Sequence, residues 1–280
     1  MILNIIRRLK TEIFYFFNKE YRNFILNKWF YYNILYKIFK KYKDIQIKIS
    51  DVILHVPNQS QAFRAIEEIF IERVYNKLKN LNCILDLGSF LGESSIYFIK
   101  NKNNKVIAVE ADPDKFRYLK ENVKRYPNIV SYNKAVSSKP GKLVFTKEYL
   151  FDLGTSSEFF IGNKKFEVEI ITIQELIDRY KPDGIKMDIE GSEFEILEWF
   201  LKNKNYFTFR KGYIEFHFCG GNSNVHNKNK IFKNFIELLK DNKYRYNINN
   251  NSLTFNQVIE KINKLKNNEK FIFHLYFEKY

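Results

Sequence analysis

The chain has 280 residues, 45% of them hydrophobic and 18% aromatic, enough for a substantial core in one large domain or two small ones. Its formal net charge of +15 favours anionic or phosphate-bearing partners without choosing among them. Cys83 and Cys219 lie far apart in apolar surroundings and read as reduced, buried thiols, which excludes a disulfide framework or a CxxC metal pair and suits a cytoplasmic protein.

Residues 1–43 form a distinct segment with ten basic residues against two acidic ones, over half of the net charge. Ile2, Ile6, Leu9, Ile13, Phe16 and Phe17 recur at helical spacing, as do Tyr21, Phe24 and Ile25, which predicts one or two amphipathic helices. Two readings stay open: the apolar face packs on the domain behind it, or it lies on an anionic membrane surface. Arg7 and Arg8 interrupt the first apolar run and no small-residue cleavage site follows, unlike a signal peptide. The uncharged stretch Trp29 to Tyr36 is too short to span a bilayer.

Residues 45–58 read as a strand pair with Ser50 and Asp51 at the turn. "SQAFRAIEEIFIERVYNKL" follows as one helix, with Ser60 as its cap and Phe63, Ile66, Val74 and Leu78 on its apolar stripe. From Cys83 the pattern alternates. Strands are predicted at "CILDLG", "KVIAVEA", "IVSYNKAV", "KLVFTKE", "KFEVEIITI", "GIKMDIE", "GYIEFHF", "YRYNI" and "FIFHLYFE". Helices are predicted at "LGESSIYFIK", "PDKFRYLKENVKRY", "TIQELIDRY", "SEFEILEWFLKN" and "IFKNFIELLKDN", and a mobile loop at residues 222–230. Such alternation means a mostly parallel sheet with helices on both faces.

In doubly wound sheets ligands bind outside the carboxyl ends of the strands. "DLGSFLGESS" follows a buried strand and opens a helix: Gly88 allows a tight turn, and Gly92 lets the backbone approach a ligand. It is not a dinucleotide fingerprint, because Phe90 stands where a second loop glycine would be, and Asp86 before the turn suits a cationic or zwitterionic ligand. Glu110 ends the next strand, placed to accept hydrogen bonds from ribose hydroxyls, while Asp112 before Pro113 reads as a helix N-cap. Glycine turn, preceding acid and ribose acid together describe an S-adenosylmethionine pocket.

"DLGSFLGESS", "VEADP", "NKAVSS", "GTSS" and above all "MDIEGSEFEIL" resemble the FkbM-type methyltransferases, over roughly residues 45–218. Phe90 is one departure, where the family usually has a small polar residue. The resemblance implies a Rossmann-like class I α/β fold with a seven-stranded, mostly parallel sheet, here preceded by the N-terminal helical segment. Residues 44–280 would form the methyltransferase domain, with a cofactor half at about 80–150 and a substrate half at about 150–280. The resemblance implies that Asp86, Gly88, Ser89, Gly92, Ser94, Glu110 and Ala111 hold S-adenosylmethionine, with Asn133 and Ala135 near the adenine.

"GIKMDIEGSEFEIL" gathers Asp188, Glu190, Glu193 and Glu195 within eight residues of a basic chain. Ser192 and Glu195 read as a capping box, which gives Glu193 and Glu195 a structural explanation. Asp188 and Glu190 precede Gly191 at a strand end and face the methyl-donor crevice. Asp188 reads as base or metal-anchoring carboxylate, and Glu190 as an orienter of substrate hydroxyls. Glu215 and His217 alternate to one face of the next strand; His217 is a second base candidate or a structural histidine. His55, His226 and His274 carry no comparable context. A divalent metal fits the chemistry, yet the sequence shows no clear ligand cluster for one. "GTSSEFF" suits a substrate-side loop or an ordinary polar one.

The leading expectation is an S-adenosylmethionine-dependent O-methyltransferase acting on a hydroxyl of a sugar, glycan or secondary metabolite. Two alternatives remain. One is an RNA methyltransferase, against which stands the absence of any RNA-binding motif or Asn/Asp-Pro-Pro-aromatic run. The other is a non-catalytic membrane-associated binding protein that retains the fold.

Overall fold

The computed structural model describes residues 14–16, 44–57, 60–147, 155–156, 164–220, 224–267 and 269–280. Strand β1 (Phe14–Phe16) runs parallel to β2 (Asp44–Ile49), which forms a hairpin with β3 (Val52–Pro57). Ser50 takes a left-handed φ of 54° at the hairpin turn, where the sequence placed it. Phe14–Phe16 are thus strand, not helix; the remainder of the basic N-terminal segment lies outside the described residues.

The main sheet has seven strands: β4 (Ile84–Leu87), β5 (Val106–Glu110), β6 (Ile129–Asn133), β11 (Gly184–Met187), β12 (Lys211–Cys219), β13 (Tyr244–Ile248) and β14 (Lys270–Lys279). Their order is β13-β14-β12-β11-β4-β5-β6, with β14 the antiparallel member between β12 and β13. A smaller sheet joins β7 (Ala135–Ser137), β10 (Lys164–Thr172), β8 (Lys142–Lys147) and β9 (Thr155–Ser156). The segment read as one strand, "IVSYNKAV", is therefore divided between two sheets at Lys134.

Among the described residues seven α-helices cover the main sheet: α1 (Ser60–Ile66), α2 (Glu93–Lys100), α3 (Pro113–Val123), α4 (Ile173–Tyr180), α5 (Glu193–Lys202), α6 (Val225–Asp241) and α7 (Phe255–Asn263). Residues of α1, α2, α3 and the hairpin pack on one face, and those of α4 to α7 on the other. The strands β4, β5 and β11 are buried throughout, as a sheet covered on both faces requires. Phe216, Phe218, Phe232, Phe235 and Phe273 are fully buried on the α6 side, each side chain stabilising the fold by about 1.5–3 kcal/mol.

Local chemistry explains most element starts. Asp112 accepts a hydrogen bond from the Asp114 N–H and Pro113 opens α3. Thr172 with Glu175, and Thr254 with Gln257, form capping boxes on α4 and α7. Three expectations are corrected. The predicted helix from Ser60 gives way to a π-helical turn at Glu67–Ile71, and Arg73 at φ 55° breaks it, which swings Tyr75 and Leu78 into the core. The predicted mobile loop is helix α6 from Val225 on, because Ile231 and Phe232 anchor it. Ser192 makes no side-chain cap on α5, since Glu195 reaches sideways to Ser137 and Ser138. Among the described residues no helix is long and apolar enough to cross a membrane.

Candidate active site

Sheet register builds the site. Lys186 on β11 pairs with Asp86 on β4 and with Tyr213 on β12, so their side chains form one row across one face. Two residues further along each chain, Gly88, Asp188 and Glu215 form the next row, and Glu215 pairs with His274 on β14. Strand β11 ends at Met187 while β12 continues to Cys219. Glu215 and His217 therefore lie within a strand, past the end of its neighbour, rather than at a strand terminus.

The glycine turn after β4 is tied down from several sides. Asp86 is fully buried and its Oδ2 accepts from Ser94 Oγ at 2.7 Å and Ser95 Oγ at 2.5 Å. Ser89 Oγ donates to the Asp86 carbonyl at 2.6 Å. Gly88 has φ 75°, and a Cβ there would stand 1.8 Å from the Asp188 carbonyl oxygen, so only glycine lets the two loops touch. Gly92, φ 89°, faces α3, where a Cβ would meet Val123 Cγ1 at 3.1 Å. Glu110 accepts from the Phe90 N–H and the Asp112 N–H, both at 2.9 Å, and so clamps the loops after β4 and β5 together. Asn133 Nδ2 donates to the Glu110 and Ala111 carbonyls at 2.9 and 3.0 Å.

The opposite end is acidic. Glu193 is fully buried and accepts from the Gly191 N–H at 2.8 Å and the His217 N–H at 2.7 Å. It also faces the His217 ring, Nδ1 lying 3.4 Å from its Oε1. The other ring nitrogen, Nε2, points among Glu215 at 3.4 Å, Glu190 at 3.5 Å and Asp188 at 3.9 Å. His274 Nδ1 lies 3.1 Å from Glu215 Oε2. Lys186 Nζ donates to the Gly88 carbonyl at 2.6 Å and sits 3.7 Å from Asp86 and 3.6 Å from Asp188. Glu190 adopts φ 53°, a left-handed conformation uncommon outside glycine, in the turn that closes on Gly191.

Burial and mutual repulsion set the protonation of this end. Burial pushes the Glu190 carboxyl up to about 7, with the Asp188 charge adding to it. Asp188 is raised by burial and then by Glu215. Burial works against charge on His217, but Glu193 and Glu215 outweigh it and hold the imidazole well above its ordinary value. Glu215 is likewise held low, against its burial, by His217 and His274. Lys186 is raised despite burial by Asp188 and Asp86.

A cavity of about 400 Å³ joins the two ends. Of the residues singled out in the sequence, Gly88, Ser94, Glu110, Ala111, Ala135, Asp188, Glu190 and Glu215 line it. Asp86, Ser89, Gly92, Asn133 and His217 stand behind that lining, bracing it or closing it from below. Tyr75, Lys115 and Lys186 line the cavity without having been singled out. Lys186 was legible, since it precedes Asp188 by two residues in the same strand and so shares its face. His274 was not, because its meeting with Glu215 depends on which strand inserts beside β12. Only Thr155 and Ser156 of "GTSSEFF" are described, as strand β9; the remainder of that loop lies outside the described residues. Cys83 is buried, its thiol pushed up to about 11 mainly by burial, whereas Cys219 is only half-buried.

The sequence profile described as the methyltransferase FkbM domain matches residues 86–246, more than half of the chain, and takes in the site from Asp86 to His217, while Arg64, Tyr75 and His274 lie outside it. The chain belongs to the FkbM methyltransferase family. That family is one of methyltransferases, and the chain has the Rossmann-like fold. A curated relative, the hexuronic acid methyltransferase AglP of Haloferax volcanii, is 27% identical over 136 residues. That alignment covers 47% of this FkbM chain and 55% of AglP, so the chain spans about half the length of that relative. Among solved structures, Trm5b from Pyrococcus abyssi has a TM-score of 0.44 at 13% identity, covering 85% of this chain and 56% of its own. TYW2 of M. jannaschii, solved in complex with AdoMet, has a TM-score of 0.42 at 12% identity, covering 85% and 87%. At those scores the two likenesses carry no argument about activity.

Proposed function

We propose that this FkbM-family methyltransferase transfers a methyl group from S-adenosylmethionine to a hydroxyl oxygen of a sugar or glycan. The observation that carries the reading is the cavity's two unlike ends: a glycine turn clamped by Glu110, and a floor of carboxylates at Asp188, Glu190 and Glu215. The residues suit the cofactor. Each Glu110 oxygen accepts one backbone N–H and keeps a second lone pair for a ribose hydroxyl, and the carboxylate floor is complementary to a cationic sulfonium. Ala111 and Ala135 leave room along the wall between them for a flat base.

When bound, the cofactor supplies an electrophilic methyl carbon on sulfur, and what the protein then contributes is chiefly alignment. Asp188 and Glu190 accept hydrogen bonds from the acceptor's hydroxyls and fix which oxygen faces the methyl donor. Those carboxylates, with Glu215 beside them, give the departing hydroxyl proton a place to go; burial raises both Asp188 and Glu190, Glu190 to about 7, which makes each a better proton acceptor than an ordinary carboxylate. Tyr75 and Phe90 line the cavity with aromatic surface that excludes water from the reacting centre. A sugar-acid acceptor is supported by the hexuronic acid specificity in the name of AglP and by Arg64, Lys115 and Lys134 on the cavity wall.

Calorimetric titration with S-adenosylmethionine tests the first half of the reading. Wild-type protein is expected to bind saturably, and Glu110→Ala to lose about 10- to 100-fold in affinity, the worth of hydrogen bonds to a charged group. Mass spectrometry of hexuronate-bearing glycans tests the second half, with a gain of one methyl group on oxygen as the expected product. Absence of cofactor binding by folded wild-type protein would remove the reading.

A further inference from the structure

We infer that Asp188, Glu190 and His217 form a binding site for a divalent cation of the Mg²⁺/Mn²⁺ class on the floor of the cavity. The inference rests on reading that floor as the methyl-acceptor end. One oxygen of each carboxylate and a ring nitrogen of His217 lie within 4.8 Å of one another, the carboxylates from the loop after β11 and the imidazole from the neighbouring strand β12. The Nε2–carboxylate separations of 3.5 Å to Glu190 and 3.9 Å to Asp188 exceed hydrogen-bond length. They match the spacing of ligands around a shared ion. Octahedral ligands about 2.1 Å from a metal stand roughly 3.0 Å apart in cis and 4.2 Å in trans.

A second feature comes from Glu193, which is outside the trio. The His217 ring is aimed from behind. Glu193, fully buried and pinned by two backbone N–H groups, faces Nδ1 at 3.4 Å and leaves Nε2 turned toward Glu215, Glu190 and Asp188. A carboxylate behind a metal-binding imidazole fixes its tautomer and raises its basicity, which is the usual outer-shell arrangement of such ligands.

Charge points the same way. Asp86, Asp188, Glu190, Glu193 and Glu215 converge here, and Lys186 is shared between Asp86 and Asp188. Asp86 Oδ1 is buried and has no hydrogen-bond partner among the described residues. Even with His217 lying between Glu193 and Glu215, 3.4 Å from each, Asp188 and Glu190 remain as two further carboxylates at the cavity floor. A divalent cation between them satisfies both. Two carboxylates suit a hard divalent cation, and the imidazole beside them favours Mn²⁺ over Mg²⁺, which prefers oxygen ligands; the trio leaves coordination positions open to the cavity for water or for neighbouring oxygens of the acceptor.

Manganese titration followed by electron paramagnetic resonance reads the site without any turnover. Wild-type protein is expected to remove the free-ion signal with one Mn²⁺ per chain, and Mg²⁺ to compete. Asp188→Asn and Glu190→Gln should each weaken Mn²⁺ at least 10-fold while the circular dichroism spectrum stays that of wild type. Glu190 is partly exposed, so its variant guards against loss of fold in the other. Failure of wild-type protein to bind Mn²⁺ at millimolar concentration, while it binds the cofactor, overturns the inference and leaves the methyl-transfer reading standing. Mn²⁺ binding unchanged in both folded variants overturns it as well, by placing the ion elsewhere. Failure of cofactor binding with Mn²⁺ binding intact counts instead against the methyl-transfer reading.

Discussion

Glu110 and Glu190 are the same side chain at opposite ends of one cavity, and they live in different surroundings. Glu110 accepts two backbone N–H groups and clamps two loops. Glu190 sits on a left-handed backbone beside Asp188 and Glu215, with Lys115 as its more distant cation. Burial raises both carboxyls, but at Glu110 Lys115 and the backbone donors oppose it, whereas at Glu190 neighbouring carboxylates add to it. One end is thus a rigid cradle whose charge is already used. The other is a concentration of negative charge waiting for protons, hydroxyls or a cation.

The sharpest way to break that contrast is to separate the two ends where they touch. Gly88→Ala puts a Cβ 1.8 Å from the Asp188 carbonyl oxygen at φ 75°, so the loops must part. We expect a loss of about 3 kcal/mol or more of stability in urea unfolding, together with loss of cofactor binding. Gly92→Ala, whose Cβ meets the movable Val123 side chain, should cost less.

Next in size is removal of the brace under the acidic end. Glu193→Ala strands two buried N–H groups and frees the His217 ring, and is expected to cost about 2–4 kcal/mol in the same unfolding assay. Glu193→Gln keeps an acceptor for those donors and should recover more than half of the loss. Equal losses in both variants would mean that charge, not hydrogen bonding, is what Glu193 supplies.

The smallest expected effect concerns a buried acid on the cradle side. Glu93 is pushed up to about 8 by burial, with its Oε2 accepting from the Leu91 N–H. Its folded pKa lies above the unfolded one near 4.5, so its contribution is full below that pH and is lost as pH rises toward 8. Glu93→Gln keeps the acceptor and removes the ionisation. The variant should gain about 1–3 kcal/mol over wild type at pH 8.5 and nothing at pH 4.5, measured as paired unfolding midpoints.

Much of the cradle was legible in the sequence because it is local. "CILDLG" and "KVIAVEA" are apolar runs that end in an acid or a glycine turn, and Asp112 before Pro113 is a cap that needs no tertiary partner. The acidic end was half legible. Strand alternation places Glu215 and His217 on one face, and Asp188 beyond a strand end. What the sequence could not carry is register and insertion. His274 reaches Glu215 only because β14 inserts antiparallel between β12 and β13. Glu195 has the spacing of a capping box, yet the small sheet offers it Ser137 and Ser138 instead. The N-terminal helix expectation failed at Phe14–Phe16 for a related reason: β2 presents an open edge, and edge pairing overrides helical spacing.

Strand β12 carries its polar and apolar residues on opposite sides. Glu215 and His217 face the cavity, while Phe216 and Phe218 press into a phenylalanine layer against Phe273 and Phe194. For anyone wishing to evolve a new acceptor range, this makes two independent dials on one strand. Substitutions among the phenylalanines would shift the cavity floor by fractions of an ångström without altering its chemistry. Changes at the wall residues Arg64, Lys115 and Lys134 would alter what is recognised without moving the floor at all.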